Sequence, residues 1–297
     1  MIIDAHQHVF WHGRDDAGLV ADMDEHGIDL AWLLTWETPP EEDNPGYHGV
    51  LTPTAMRPDG THAGLVLADA VAVRDRYPDR FVLGYCPHPL HGDAPRLLEA
   101  AHRIHGARVC GEWKCRVLLD DPRCINLFRK AGELRMPVVI HIDIPLLAKA
   151  DGSREYQPLW YGGTIVNLER ALQACPDTIF IGHGPGFWRE ISGDADAATE
   201  HYPKGPVTPG GRIQQLLDRF PNLCADLSAG SGLGALKRDT PHAVGFLARY
   251  AERLLFGRDN YGGDLNQFLQ TLDLPQHVAD KLYSGNAQRL VPTGAIA

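Results

Sequence analysis

Short apolar runs alternate along the chain with longer stretches in which apolar residues recur every three or four positions. The runs at 1–6, 31–37, 80–86, 107–114, 137–143, 178–184, 223–229 and 253–259 read as strands. Segments 63–77, 94–106, 123–135, 164–175, 212–220, 242–254 and 275–290 carry helical spacing. In 94–106, Leu97, Leu98, Ala101 and Ile104 are expected on one apolar face. About eight strand-then-helix units in 297 residues predict an α/β fold, a (β/α)8 TIM barrel forming a single domain over 1–297. An open doubly wound sheet is the alternative, but its first strand would lead into a phosphate loop, and here it leads into histidines.

The joins are uneven. Helix-to-strand connections are short, whereas three strand-to-helix connections are long, at 38–62, 144–163 and 185–211. In a barrel the strand-to-helix loops build the catalytic face, and long loops in a compact domain are usually functional. Their aromatic residues Tyr47, Tyr156, Trp160, Tyr161, Phe187 and Trp188 suggest a pocket lining. The segment 228–234, "SAGSGLG", lacks the spacing of a phosphate loop and reads as a flexible seventh loop.

Composition narrows the function. Hydrophobic residues at 44% supply ample core. A formal net charge of −10 argues against nucleic acid as a partner, because phosphate binding needs a basic footprint. No stretch reaches the roughly 20 apolar residues of a membrane span, and no basic-then-apolar leader opens the chain. The six scattered cysteines contain no CxxC pair, a pattern that suits reduced thiols in a cytoplasmic protein.

Polar residues gather where strands should finish. Residues 4–10, "DAHQHVF", place His6 and His8 on one side of the first strand, since alternate residues share a face. His141 closes the fifth strand, His183 the sixth, and Asp259 the eighth. All would meet at one end of the barrel, and imidazole with carboxylate is the ligand set of Zn²⁺ and related ions. Satisfied core histidines would not recur at one structural level. On the fourth strand, Glu112, Lys114 and Arg116 alternate. Glu112 either bridges a second metal or pairs with Lys114 or Arg116. Arg116 suits an anionic substrate, and Lys114 and Trp188 are further candidate substrate contacts. Asp4 either orients a ligand or pairs with a core cation.

This set, with "PVVIHID", "IGHGPGFW", "LLFGRDN" and "YSGNAQRL", resembles the amidohydrolase superfamily from residue 4 to about residue 290. Within it, the motifs are most similar to the amidohydrolase-related group, which includes aminocarboxymuconate semialdehyde decarboxylase and related decarboxylases and lactonases. The resemblance implies that His6, His8, His141 and Asp259 hold one divalent metal, Zn²⁺ or Mn²⁺. His183 would then be an acid–base or polarising residue, or a ligand if there are two ions. Binuclear members often carry a carbamylated lysine on the fourth strand, while TatD-type nucleases carry a glutamate within "GE". "CGEWK" offers both Glu112 and Lys114, with Glu112 the preferred bridge. A homodimer is among the assemblies the resemblance implies.

The first expectation is a metal-dependent hydrolase acting on a small anionic lactone, amide or ester, with Asp259 moving the proton and His183 polarising the carbonyl. The second is a non-oxidative decarboxylase of a small unsaturated or aromatic carboxylate on the same scaffold. A binding barrel without chemistry is the third, and the intact ligand set argues against it.

Overall fold

The computed structural model describes residues 1–158 and 160–292, so Leu159, inside the loop 144–163, and the last five residues of the predicted domain lie outside it. Eight short strands carry the architecture among these residues: β1 (Ile3–Gln7), β2 (Leu30–Leu33), β3 (Phe81–Leu83), β4 (Cys110–Trp113), β5 (Val138–His141), β6 (Phe180–His183), β7 (Leu223–Asp226) and β8 (Leu254–Leu255). Neighbours pair in parallel in chain order, β1 to β3 in one sheet and β4 to β8 in a second. The parallel bridge Gly84–Val109 joins β3 to β4, and Ala5 N–H donates to Phe256 O at 2.9 Å between β1 and β8.

Of the three hydrophobic clusters among the described residues, two lie on the two faces of the strands. Ile3, Ala5, Trp32, Val82, Val139, Ile181, Cys224 and Leu255 belong to one inner cluster. Phe128, Phe180, Trp113 and their neighbours form the larger outer core against the helices, with edge-on rings at 5.2 Å between Phe128 and Phe180. Each such fully buried ring contributes about 1.5–3 kcal/mol over an exposed one.

Helices follow the predicted spacing, with shifts that have local causes. In helix Ala94–His105 the buried face is Ala94, Leu98 and Ala101, while Leu97 is 40% and Ile104 73% exposed. At about 100° per residue, both lie well off the stripe through Leu98. Helix Asp16–Glu25 was not legible because Asp22 sits on its buried face beside Leu19 and Met23. The segment read as a seventh loop is instead the start of helix Ala229–Lys237. Gly232 allows it, since a Cβ there would stand 2.5 Å from the Leu227 backbone. The connection 38–62 is flanked by an antiparallel ribbon, Trp36–Glu37 with Gly64–Leu65, and 144–163 contains a second, Leu146–Ala148 with Arg154–Tyr156. Among the described residues no helix is long and apolar enough to cross a membrane, and all six cysteines are buried thiols.

Candidate metal centre

Irregularities in two strands aim the site. The pairing of β1 with β2 shifts between Asp4 and Gln7, so Ala5 stays in the inner cluster while His6 and His8 turn together to the strand's C-terminal end. On β4, Cys110 and Trp113 both face the outer core although three residues apart, and the register with β5 shifts between them. That shift leaves Glu112 and Lys114 on the inner side.

The imidazoles are oriented from behind. Nδ1 of His6 and Nδ1 of His183 each lie 3.0 Å from one oxygen of Asp226, and Ser228 Oγ is 2.8 Å from His183 Nδ1. Nδ1 of His8 lies 2.9 Å from the Leu34 carbonyl. Burial opposes ionisation of Asp226, yet the His183 and His6 rings beside it hold it well below the usual carboxylate range. An ionised carboxylate and a carbonyl only accept, so each Nδ1 carries the proton and each Nε2 is the nitrogen left to ligate.

Those three Nε2 atoms face two carboxylates. His8 Nε2 lies 3.5 Å from Glu112 and 3.4 Å from Asp259. His6 Nε2 is 3.8 Å from both, and His183 Nε2 is 3.8 and 3.7 Å from them. These gaps exceed hydrogen-bond length, and they match the separation of two ligands each about 2.1 Å from a shared ion. Nε2 of His6 is buried with no hydrogen-bond partner among the described residues. Lone pairs converging on carboxylates repel unless a cation stands between them, so the donor set fits a divalent metal. His6, Glu112 and His183 form one group of suitable geometry, and His6, His8 and Asp259 a second.

The charges agree. Burial would lower the His8 pKa, but the Asp259 and Glu112 carboxylates push it up to about 10, so they hold a cation at His8 Nε2, a proton that a metal ion would displace. Burial opposes ionisation of Glu112, yet Lys114 and His141 keep it well below the usual range. Asp259 likewise stays ionised against burial through His8, His6 and His183. Its backbone has φ +59°, a conformation uncommon outside glycine, and its N–H donates to His6 O at 2.8 Å.

Of the residues expected here, His6, His8, Glu112, His183 and Asp259 come together. His141 stands one step back: Nδ1 is 2.7 Å from Glu112 and Nε2 3.3 Å from Asp143. Lys114 lines a cavity of about 200 Å³ with Asp259, His141, His183, Trp11, Tyr47 and Tyr202. Its ammonium lies 4.2 Å from the Trp36 ring centre, 4.9 Å from Tyr47 and 5.4 Å from Tyr161. Arg116 does not line this cavity: its backbone N–H donates to Glu42 at 2.9 Å and its guanidinium lies 5.9 Å from the Tyr161 ring centre. Trp188, expected at the substrate, is 1% exposed in the core, and its indole N–H donates to Asp226 O at 3.0 Å. Phe187 is also core, while Trp160 bonds Tyr156 on the outer ribbon. Asp4 takes its second option and pairs with Arg258 at 2.7 Å. Asp226 was missed, although it closes the seventh apolar run as His141 and His183 close theirs.

Neither a protein-family model nor a curated protein sequence matches the chain. Solved structures do. An uncharacterised TIM-barrel protein from Bordetella bronchiseptica aligns with TM-score 0.62 and 17% identity, over 97% of each chain. A dihydroxybenzoic acid decarboxylase from a Polaromonas species, with bound manganese and the inhibitor 2-nitroresorcinol, aligns with TM-score 0.57 and 17% identity, over 97% of this chain and 96% of that one. A probable 2-pyrone-4,6-dicarboxylic acid hydrolase from Acinetobacter baumannii, with citric acid bound, aligns with TM-score 0.55 and 13% identity, over 97% and 98%. These likenesses establish the fold as that of TIM-barrel proteins.

Proposed function

We propose that the chain is a metal-dependent hydrolase of the amidohydrolase superfamily, a single-domain closed (β/α)8 barrel with its centre at the C-terminal ends of the strands. The observation that carries this reading is the convergence of three Nε2 lone pairs on Glu112 and Asp259, with His6 Nε2 buried and unbonded. His6, His8, His183, Glu112 and Asp259 would hold Zn²⁺ or Mn²⁺, with His141 orienting Glu112 through its Nδ1. A bound divalent ion supplies Lewis acidity toward a carbonyl and acidifies water at neutral pH.

The chain's own residues do the rest. Asp259, ionised and facing the cavity, accepts a proton from water and returns it to the leaving group. Asp226 keeps the His6 and His183 rings in the ligating tautomer. Lys114, a buried ammonium with no ion pair among the described residues, receives an anionic substrate group. The substrate is a small anionic lactone, amide or ester. Metal analysis of protein purified without chelator, followed by a lactone and ester screen read by acid release, tests this. Absence of bound metal and of any His8-dependent hydrolysis would reject it.

A second reading, non-oxidative decarboxylation of an unsaturated or aromatic carboxylate, is supported by the rings around Lys114 and by the likeness to the Polaromonas decarboxylase. CO₂ release without ring opening selects it.

A further inference from the structure

A second cavity, of about 230 Å³, adjoins the catalytic one, and Asp143 lines both. It lies between the long loops after β5 and β6. Ile144, Pro145, Leu146, Ile165 and Val166 give it apolar walls. Its carboxylates are already matched: Glu190 and Asp196 pair with Arg212, and Asp143 with His141. Two cations are not. Arg154 and Arg189 line the cavity and make no ion pair among the described residues. Arg189 is only 7% exposed, and its Nη2 is used on the carbonyls of Ala195 and Ala198. A buried guanidinium without a carboxylate is costly unless an anion reaches it. The first turn of the ten-residue helix Ile165–Ala174 forms another wall and adds the positive end of its dipole.

Each cavity alone is below the roughly 300 Å³ at which ligand pockets begin, and Asp143 stands in the lining of both. We infer that the second cavity is the distal half of the substrate site and takes a carboxylate carried on a short apolar arm. The substrate is then an anion at both ends, one received beside the metal centre and one at Arg189 and Arg154. This rests on the catalytic reading of the first cavity, and the test separates the two.

Isothermal titration of metal-loaded and of chelator-treated protein with hexanoate, 1-hexanol, glutarate, adipate and pimelate reads the second cavity directly. Hexanoate is expected to bind metal-free protein at least tenfold more tightly than hexanol. Arg189→Met and Arg154→Glu should each weaken it about tenfold, the exposed Arg154 serving as the variant that leaves the loop carbonyls tied. In loaded protein the best dicarboxylate should exceed hexanoate about tenfold, and Asp259→Asn should remove that excess. Hexanoate binding indifferent to both arginine variants, hexanol binding equally well, or a dicarboxylate no better than hexanoate would overturn the inference. Protein that takes up no metal yet binds hexanoate through Arg189 would instead count against the hydrolase reading alone.

Discussion

Asp226 and His6 stand 220 residues apart in sequence and are joined by a 3.0 Å hydrogen bond between Oδ2 and Nδ1. The other oxygen of the same carboxylate holds His183 at the same distance. One buried side chain therefore sets the tautomer of two candidate ligands. Asp226→Asn keeps the volume but offers one donor in place of an acceptor, so one ring must turn or change tautomer. Metal affinity should fall about 10–100-fold with little change in circular dichroism. Competition with a chromophoric chelator measures it, and unchanged affinity would remove Asp226 from the site.

A folded-state metal centre also links to stability. At an ion concentration 100 times the dissociation constant, binding to the native chain adds about 2.7 kcal/mol. Zn²⁺ or Mn²⁺ should therefore raise the melting temperature, and chelator should lower it. In His8→Ala the two melting curves should nearly coincide, because the Nε2 facing both Glu112 and Asp259 is gone. A metal-induced shift that survives in His8→Ala assigns the ion to His6, Glu112 and His183 or to another site.

Lys114 offers a cleaner division between binding and chemistry. Lys114→Met fits the same box of Trp36, Tyr47 and Tyr161 while removing the charge. A hydrogen bond to a charged group is worth about 1.5–3 kcal/mol, so KM for anionic substrates should rise at least tenfold. Neutral analogues should change little, and metal content should persist. Equal losses for neutral and anionic substrates would mark Lys114 as structural, acting through the charge it lends to Glu112.

Much of this was legible because strand ends are local. His6, His8, His183 and Asp259 each follow an apolar run, and a parallel sheet brings such ends to one side. Asp226 obeys the same rule and was readable in principle. The positions of Trp188 and Arg116 were not, because loop residues carry no periodicity to say which way they face. Nor were the bulges of β1 and β4, which consist of pairing with another strand. Glu112 illustrates the boundary: its sequence context left it either a ligand or a partner of Lys114, and only the register shift turns it toward His6 and His183.

The ion pair beneath the centre supports the last prediction. Arg258, 5% exposed, bonds Asp4 at 2.7 Å and Asp22 at 2.6 Å, and both carboxylates are buried. Its backbone N–H also donates to Asp4 Oδ1, one residue before Asp259 and two before His6. Arg258→Met leaves two buried carboxylates, with Arg14 and His26 still near Asp22, and should cost about 3–5 kcal/mol. Replacing all three members, as Asp4→Asn, Asp22→Asn and Arg258→Met, removes the unpaired charges and should recover a large part of that loss. Urea midpoints of the single and triple variants decide between these outcomes. A triple variant as unstable as the single one would mean that shape, not charge, holds the end of β8 under Asp259. Metal affinity measured on both variants should fall together with the order of that segment, since Asp259 is tied to His6 through its own backbone N–H.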